Sequence, residues 1–73
     1  MDHELDATGL LCPLPVLKAR KRLESLESGE TLKLIATDPA SVIDVPHFCN
    51  EQGYELLSHE ATSDRHIFRI RRK

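Results

Sequence analysis

Polar and apolar residues alternate from His3 to Ala7, with Leu5 and Ala7 on one side and Glu4 and Asp6 on the other, which predicts a short half-buried strand. Thr8-Gly9 breaks it. Beyond Cys12 the alternation stops, and within 13–28 Val16, Ala19, Leu23 and Leu26 recur at spacings of three and four, the pattern of an amphipathic helix. Gly29 is expected to close that helix as its C′ residue, because a residue without Cβ enters the left-handed conformation cheaply. Thr31 to Thr37 alternates again, with Leu32, Leu34 and Ala36 facing one way, and Asp38-Pro39 ends this second strand in a turn. In the next helix Ser41 with Asp44 resembles a capping box, but Pro46 would then lie inside the helix and clash with Val42, so Asp44 is expected as the N-cap. Val45, Phe48, Cys49 and Gln52 share one face, and Gly53 ends the run. Tyr54 to Glu60 and Arg65 to Arg72 read as strands of an antiparallel hairpin, joined by Ala61-Thr62-Ser63-Asp64.

The order is therefore βαβαββ. Alternating strands and helices with one polar face imply an α+β two-layer sandwich: a four-stranded mixed sheet with both helices on one face and the other face in water. The first and second strands should be parallel, with the first helix crossing between them. A chain of 73 residues has room for one domain, spanning 1–73, whose core buries about 60% of the surface the unfolded chain exposes. No apolar run approaches the roughly 18–20 residues that span a bilayer, so no membrane partner is expected. Met1-Asp2-His3-Glu4 lacks the basic flank and apolar stretch of a secretory signal, and a cytoplasmic protein is expected. Two cysteines without a C-x-x-C or H-x-x-x-H pair argue against a disulfide scaffold or a bound metal, and reduced thiols are expected.

The informative segment is Cys12-Pro13-Leu14-Pro15, immediately after the turn that contains Gly9. With Cys12 as N-cap, Pro13 falls at N1, where its fixed φ suits a helix start, and Pro15 at N3. Two prolines delete two donors of the first turn and leave the Leu14 N–H to meet the Cys12 sulfur. The positive helix end, worth about 0.3–1 kcal/mol at an exposed site, is expected to hold the thiol modestly below its ordinary pKa. On this reading Cys12 is a competent nucleophile on a stiff backbone; the alternative is a small buried cysteine with no chemistry.

Projected at 100° per residue, Leu14, Lys18, Lys21 and Arg22 cluster opposite the apolar stripe. Cations early in a helix oppose its dipole, which favours a docking face for acidic partners over a solvated face with ion pairs such as Arg20 to Glu24. Cys49 lies among Val42, Val45 and Phe48 and reads as core, the alternative being a resolving thiol for Cys12. The last strand turns Arg65, Ile67, Arg69, Arg71 and Lys73 to the open face, as expected of an outer strand guarded against edge pairing. An RNA-binding surface is the alternative, but the chain carries 12 acidic against 10 basic residues and few aromatics, so direct nucleic-acid binding is not expected. His3, His47, His59 and His66 lack partners at ligand or triad spacing. No exposed apolar stripe large enough to demand a partner is expected.

The run Leu5-Asp6-Ala7-Thr8-Gly9-Leu10-Leu11-Cys12-Pro13-Leu14-Pro15-Val16-Leu17 closely resembles the signature of the TusA/SirA-like sulfur-carrier family, as does Asp38-Pro39-Ala40 followed by Asp44-Val45-Pro46-His47-Phe48-Cys49. The resemblance implies a βαβαββ two-layer sandwich and a persulfide carried on Cys12, with no separate cofactor. It further implies a stoichiometric sulfurtransferase-type carrier. Its partners would be a donor protein, a cysteine desulfurase or rhodanese, and an acceptor protein in tRNA 2-thiouridine synthesis, molybdenum-cofactor supply or sulfur oxidation.

Overall fold

The computed structural model describes residues 2–73. Its elements run β1 (Asp2–Ala7), α1 (Leu14–Glu24), β2 (Thr31–Ala36), α2 (Ser41–Gln52), β3 (Glu55–Ala61) and β4 (His66–Arg71), the expected βαβαββ order. The sheet order is β1-β2-β4-β3. β1 and β2 are parallel, pairing Leu5 with Leu34, and β4 runs antiparallel to both β2 and β3. α1 packs on β1 and β2, and α2 on β3 and β4.

Alternation decides which face each strand buries. In β2 Leu32, Leu34 and Ala36 are buried while Thr31, Lys33 and Ile35 are half-buried on the other face. Their opposite numbers Ile70 and Phe68 are buried on β4, and Ala19, Leu23 and Leu26 from the α1 side meet Val45, Phe48 and Cys49 of α2 above them. Among the described residues the buried apolar side chains other than Ala36 form one cluster between helices and sheet.

Four local expectations give way to the structure. Gly29 is not the C′ residue of α1: that helix ends at Glu24 with Ser25 as its cap, and Gly29, at φ +91°, instead gives its N–H to the Arg72 carbonyl. Asp44 is not the N-cap of α2: the helix starts at Ser41 and holds Pro46 inside it. The missing Pro46 N–H would have met the carbonyl of Val42, whose residue is 39% exposed, so water can serve that oxygen. The same exposure takes Val42 out of the core arc expected around Cys49. Finally, β4 is an inner strand, flanked by β2 and β3. Its arginines therefore do not guard an edge; on the open face Arg69 pairs with Glu60 and Arg71 with Glu55 across the hairpin. Gly53 does close α2 as expected, in the left-handed conformation at φ +76°.

Candidate functional site

The carboxyl ends of the parallel strands β1 and β2 lie side by side, and the loops leaving them build the site. Thr8 donates its N–H to Asp6 Oδ1 at 2.9 Å, and Gly9, at φ +80°, donates its own to Thr37 Oγ1 at 2.8 Å. That φ and the tie to the β2–α2 loop are what the expected role of Gly9 in presenting Cys12 amounts to.

Cys12 stands one residue before the N-cap of α1 rather than capping it. Pro13 is the N-cap, joined to Cys12 by a cis peptide bond, so Leu14 is N1 and Pro15 is N2. The Leu14 N–H is spent on the Leu11 carbonyl at 2.9 Å and does not face the Cys12 sulfur. Pro15 is buried while Pro13 and Leu14 are exposed.

What holds Cys12 comes from the second half of the chain. Its N–H donates to Asp38 Oδ2 at 2.5 Å, and its exposed thiol donates to Asp44 Oδ2 at 2.6 Å. Asp38 is itself nearly buried: Oδ1 accepts from the Ala40 N–H at 3.1 Å, and its carbonyl accepts from the Ser41 N–H and hydroxyl. Asp38 thus ties the two loops together, its carboxylate holding the Cys12 and Ala40 amides and its carbonyl meeting Ser41, the first residue of α2.

These contacts reverse the expected electrostatics. The Asp44 hydrogen bond to the protonated sulfur lifts the Cys12 thiol above its ordinary pKa, with partial desolvation and the charges of Asp44 and Asp38 adding in the same direction. A carboxylate in contact with the sulfur outweighs a helix end of about half a charge, the more so because Cys12 lies outside the helix. Cys49 is core, as expected: it is 2% exposed, and burial pushes its thiol up to about 11. Alkylation with iodoacetamide should therefore modify Cys12 alone in the folded protein, more slowly at neutral pH than a free cysteine, and with a rate that climbs to a midpoint above the ordinary thiol value. Peptide mapping across a pH series reads both features, and a midpoint below that value would contradict the Asp44 contact.

Beside the sulfur runs an open groove of about 290 Å³, floored by Pro13, Val16 and Phe48 and rimmed by Asp44, His47, Glu51 and Gln52. His47 and Glu51 pair with each other along α2. Around the site lie apolar side chains left in water: Leu11 and Leu14 on either side of Cys12 in sequence, Leu17 one turn further along α1, and Val42 and Ile43 just ahead of Asp44, Leu11 and Ile43 being 70% and 75% exposed.

Lys18, Lys21 and Arg22 do come together, but away from the sulfur, lining a second shallow groove of about 300 Å³ with Leu5 and Ser25. Leu14 remains at the Cys12 end and does not line it. Because α1 is shorter than expected, Lys21 and Arg22 occupy its last turn, where cations suit the helix dipole, and Arg20 pairs with Glu24 at 3.6 Å. The helix dipole therefore does not oppose Lys21 and Arg22. Two histidines that the sequence leaves scattered meet on the sheet, His59 Nε2 lying 3.1 Å from His66 Nδ1 with the His59 ring stacked on Phe68. Among the described residues no group of three or more His, Cys, Asp or Glu could hold a metal ion, and no helix is long and apolar enough to cross a membrane.

Sequence reasoning missed Asp38 and Asp44 as site residues, reading one as a turn and the other as a cap. The signal lay in their side chains: a buried aspartate before a proline has two acceptor oxygens to place, and only one turn to use them on.

A two-layer fold that offers one exposed cysteine before a proline-braced helix, with carboxylates on its sulfur and its amide, is that of a small protein presenting one accessible thiol. The family described as Sulfurtransferase TusA matches residues 3–72, and the chain belongs to that family. It is 45% identical over 71 residues to the protein named Sulfur carrier protein TusA of Allochromatium vinosum, covering 97% of this chain and 93% of that one. It is 44% identical over 72 residues to the protein of the same name from Pseudomonas putida, covering 99% and 90%. Among solved structures, the crystal structure of the SirA-like protein from Desulfitobacterium hafniense superposes with a TM-score of 0.81 at 26% identity, over 97% of this chain and 96% of that one.

Proposed function

We propose that the protein is a sulfur carrier that accepts sulfane sulfur on Cys12 as a persulfide and hands it to an acceptor protein's thiol. The observation that supports this reading most is the exposure of Cys12 on a braced loop beside an open groove, while the other thiol, Cys49, is enclosed. The Cys12 sulfur attacks the outer sulfur of a donor persulfide, the donor's S–S bond breaks, and the new persulfide is later attacked at its outer sulfur by the acceptor. The chain acts stoichiometrically and needs no resident cofactor, since the sulfur is carried covalently. A groove this shallow suits a partner's loop better than an enclosed small substrate.

The donor on this reading is a cysteine desulfurase or rhodanese. The acceptor serves tRNA thiolation, molybdenum-cofactor supply or another sulfur-transfer route, and the location is the cytoplasm. Gly9, Pro13 and Pro15 present the sulfur; Leu14 at the tip, with Lys18, Lys21 and Arg22 along α1, receives acidic surfaces of these partners. RNA binding through the sheet is disfavoured by the pairing of Arg69 and Arg71 with Glu60 and Glu55.

Incubation with a cysteine desulfurase and cysteine should add about 32 Da, one sulfur atom, to the peptide containing Cys12. The Cys12→Ser variant should keep its circular dichroism spectrum and lose the added mass entirely. Sulfur found on Cys49 alone would overturn the assignment.

A further inference from the structure

The Cys12 thiol donates to Asp44 Oδ2 at 2.6 Å, and that contact joins residues 32 positions apart on the two loops that form the site. We propose that Asp44 biases the carrier toward giving its sulfur away, by holding the empty Cys12 as an S–H hydrogen-bond donor and by repelling the negative charge that loading brings. The inference rests on the persulfide reading above.

The balance of the transfer gives the sign. At neutral pH a persulfide is largely ionised, so loading from a small donor is Cys12–SH + R–S–S⁻ going to Cys12–S–S⁻ + R–SH. The S–S bond of the donor breaks, and a new one forms between Sγ and the sulfane sulfur. The Sγ proton ends on the donor's inner sulfur, and no oxidant or reductant is consumed. On the protein this exchanges a neutral donor facing a carboxylate for an anion facing it. The hydrogen bond is lost and a like-charge contact appears, so both changes oppose loading and favour release. Asp38 adds a second negative charge behind the Cys12 amide, but its oxygens are committed to the Cys12 and Ala40 N–H groups, which leaves Asp44 as the carboxylate that meets the sulfur itself. His47 and Glu51, further along the groove, pair with each other.

A test at equilibrium separates this role from a structural one. Wild type, Asp44→Asn and Asp44→Glu are each brought to equilibrium with a fixed ratio of glutathione persulfide to glutathione at pH 7.5, and the loaded and empty forms are counted by intact mass. Asp44→Asn should show a loaded-to-empty ratio about three- to tenfold above wild type, while Asp44→Glu, which keeps the charge, should stay near it. The empty Asp44→Asn protein should also react about threefold faster with iodoacetamide at the same pH, the gain in thiolate outrunning the loss of nucleophilicity. Asp44→Ser, whose side chain suits an early helical turn, repeats both measurements if the amide disturbs α2. An unchanged or lower loaded ratio in the uncharged variants would overturn the role of Asp44 while leaving the carrier reading intact. If no sulfur adds to Cys12 in any of the proteins, the carrier reading falls and takes this one with it.

Discussion

Phe68→Ala should leave the protein barely folded at 37 °C. Phe68 is fully enclosed at the middle of β4, paired across to Leu34 on β2 and His59 on β3, so it contacts both halves of the sheet and the helices above them. Removing a buried phenylalanine side chain costs about 3–5 kcal/mol, the sum of lost transfer energy and the cavity left behind. A 73-residue domain has a total stability of roughly 4–11 kcal/mol by the usual value per residue, so a single change removes about a quarter of it or more. The His59 ring stacked on Phe68 at 4.4 Å loses its platform as well. Urea unfolding followed by circular dichroism measures the loss; a change below about 1.5 kcal/mol would mean that the surrounding side chains close the gap, contrary to the packing described.

The second large effect is expected at Asp38. Its two carboxylate oxygens accept from two different backbone amides, Cys12 and Ala40, and the residue is only 9% exposed. Asp38→Ala strands both donors and should cost about 2–3 kcal/mol, the range for losing hydrogen bonds to a charged acceptor in a mostly buried place. Asp38→Asn is the sharper test. An amide offers one acceptor oxygen where the carboxylate offers two, so one of the two N–H groups must face an NH₂ donor, and roughly half the loss should remain. Hydrogen exchange at the Cys12 and Ala40 amides, read alongside the melting temperature, distinguishes the cases. Both amides should exchange faster in the alanine variant and one of them in the asparagine variant. Protection of both amides in Asp38→Ala would show that the loop is held by something else.

The architecture was legible in the chain because it is written in short-range periodicity. Leu32, Leu34 and Ala36 alternate, Ala19, Leu23 and Leu26 recur at helical spacing, and Gly53 sits where a helix must reverse, so each element declares itself within a few residues. Strand neighbours are not declared that way. Nothing local in His66 to Arg71 says that β3 will lie outside β4, and the arginines there look alike whether they guard an edge or pair with glutamates across a hairpin. The start of α2 is not declared locally either: the penalty at Pro46 points to Asp44, whereas the Asp38 contacts begin the helix three residues earlier. The site divides in the same way. Cys12 was visible from its prolines, but the carboxylates on its amide and its sulfur come from 26 and 32 residues away, and those contacts, not the nearby helix end, set the sign of its acidity.

The tail of the chain closes an element made near its beginning. The Arg72 guanidinium donates to the carbonyls of Leu23 and Glu24 at the far end of α1 and of Leu26 just beyond it, while its backbone accepts from the Gly29 N–H and donates to the Glu30 carbonyl. Residues that follow the inner strand thus complete the first helix of the fold, so α1 and the sheet are expected to unfold together, in one cooperative step.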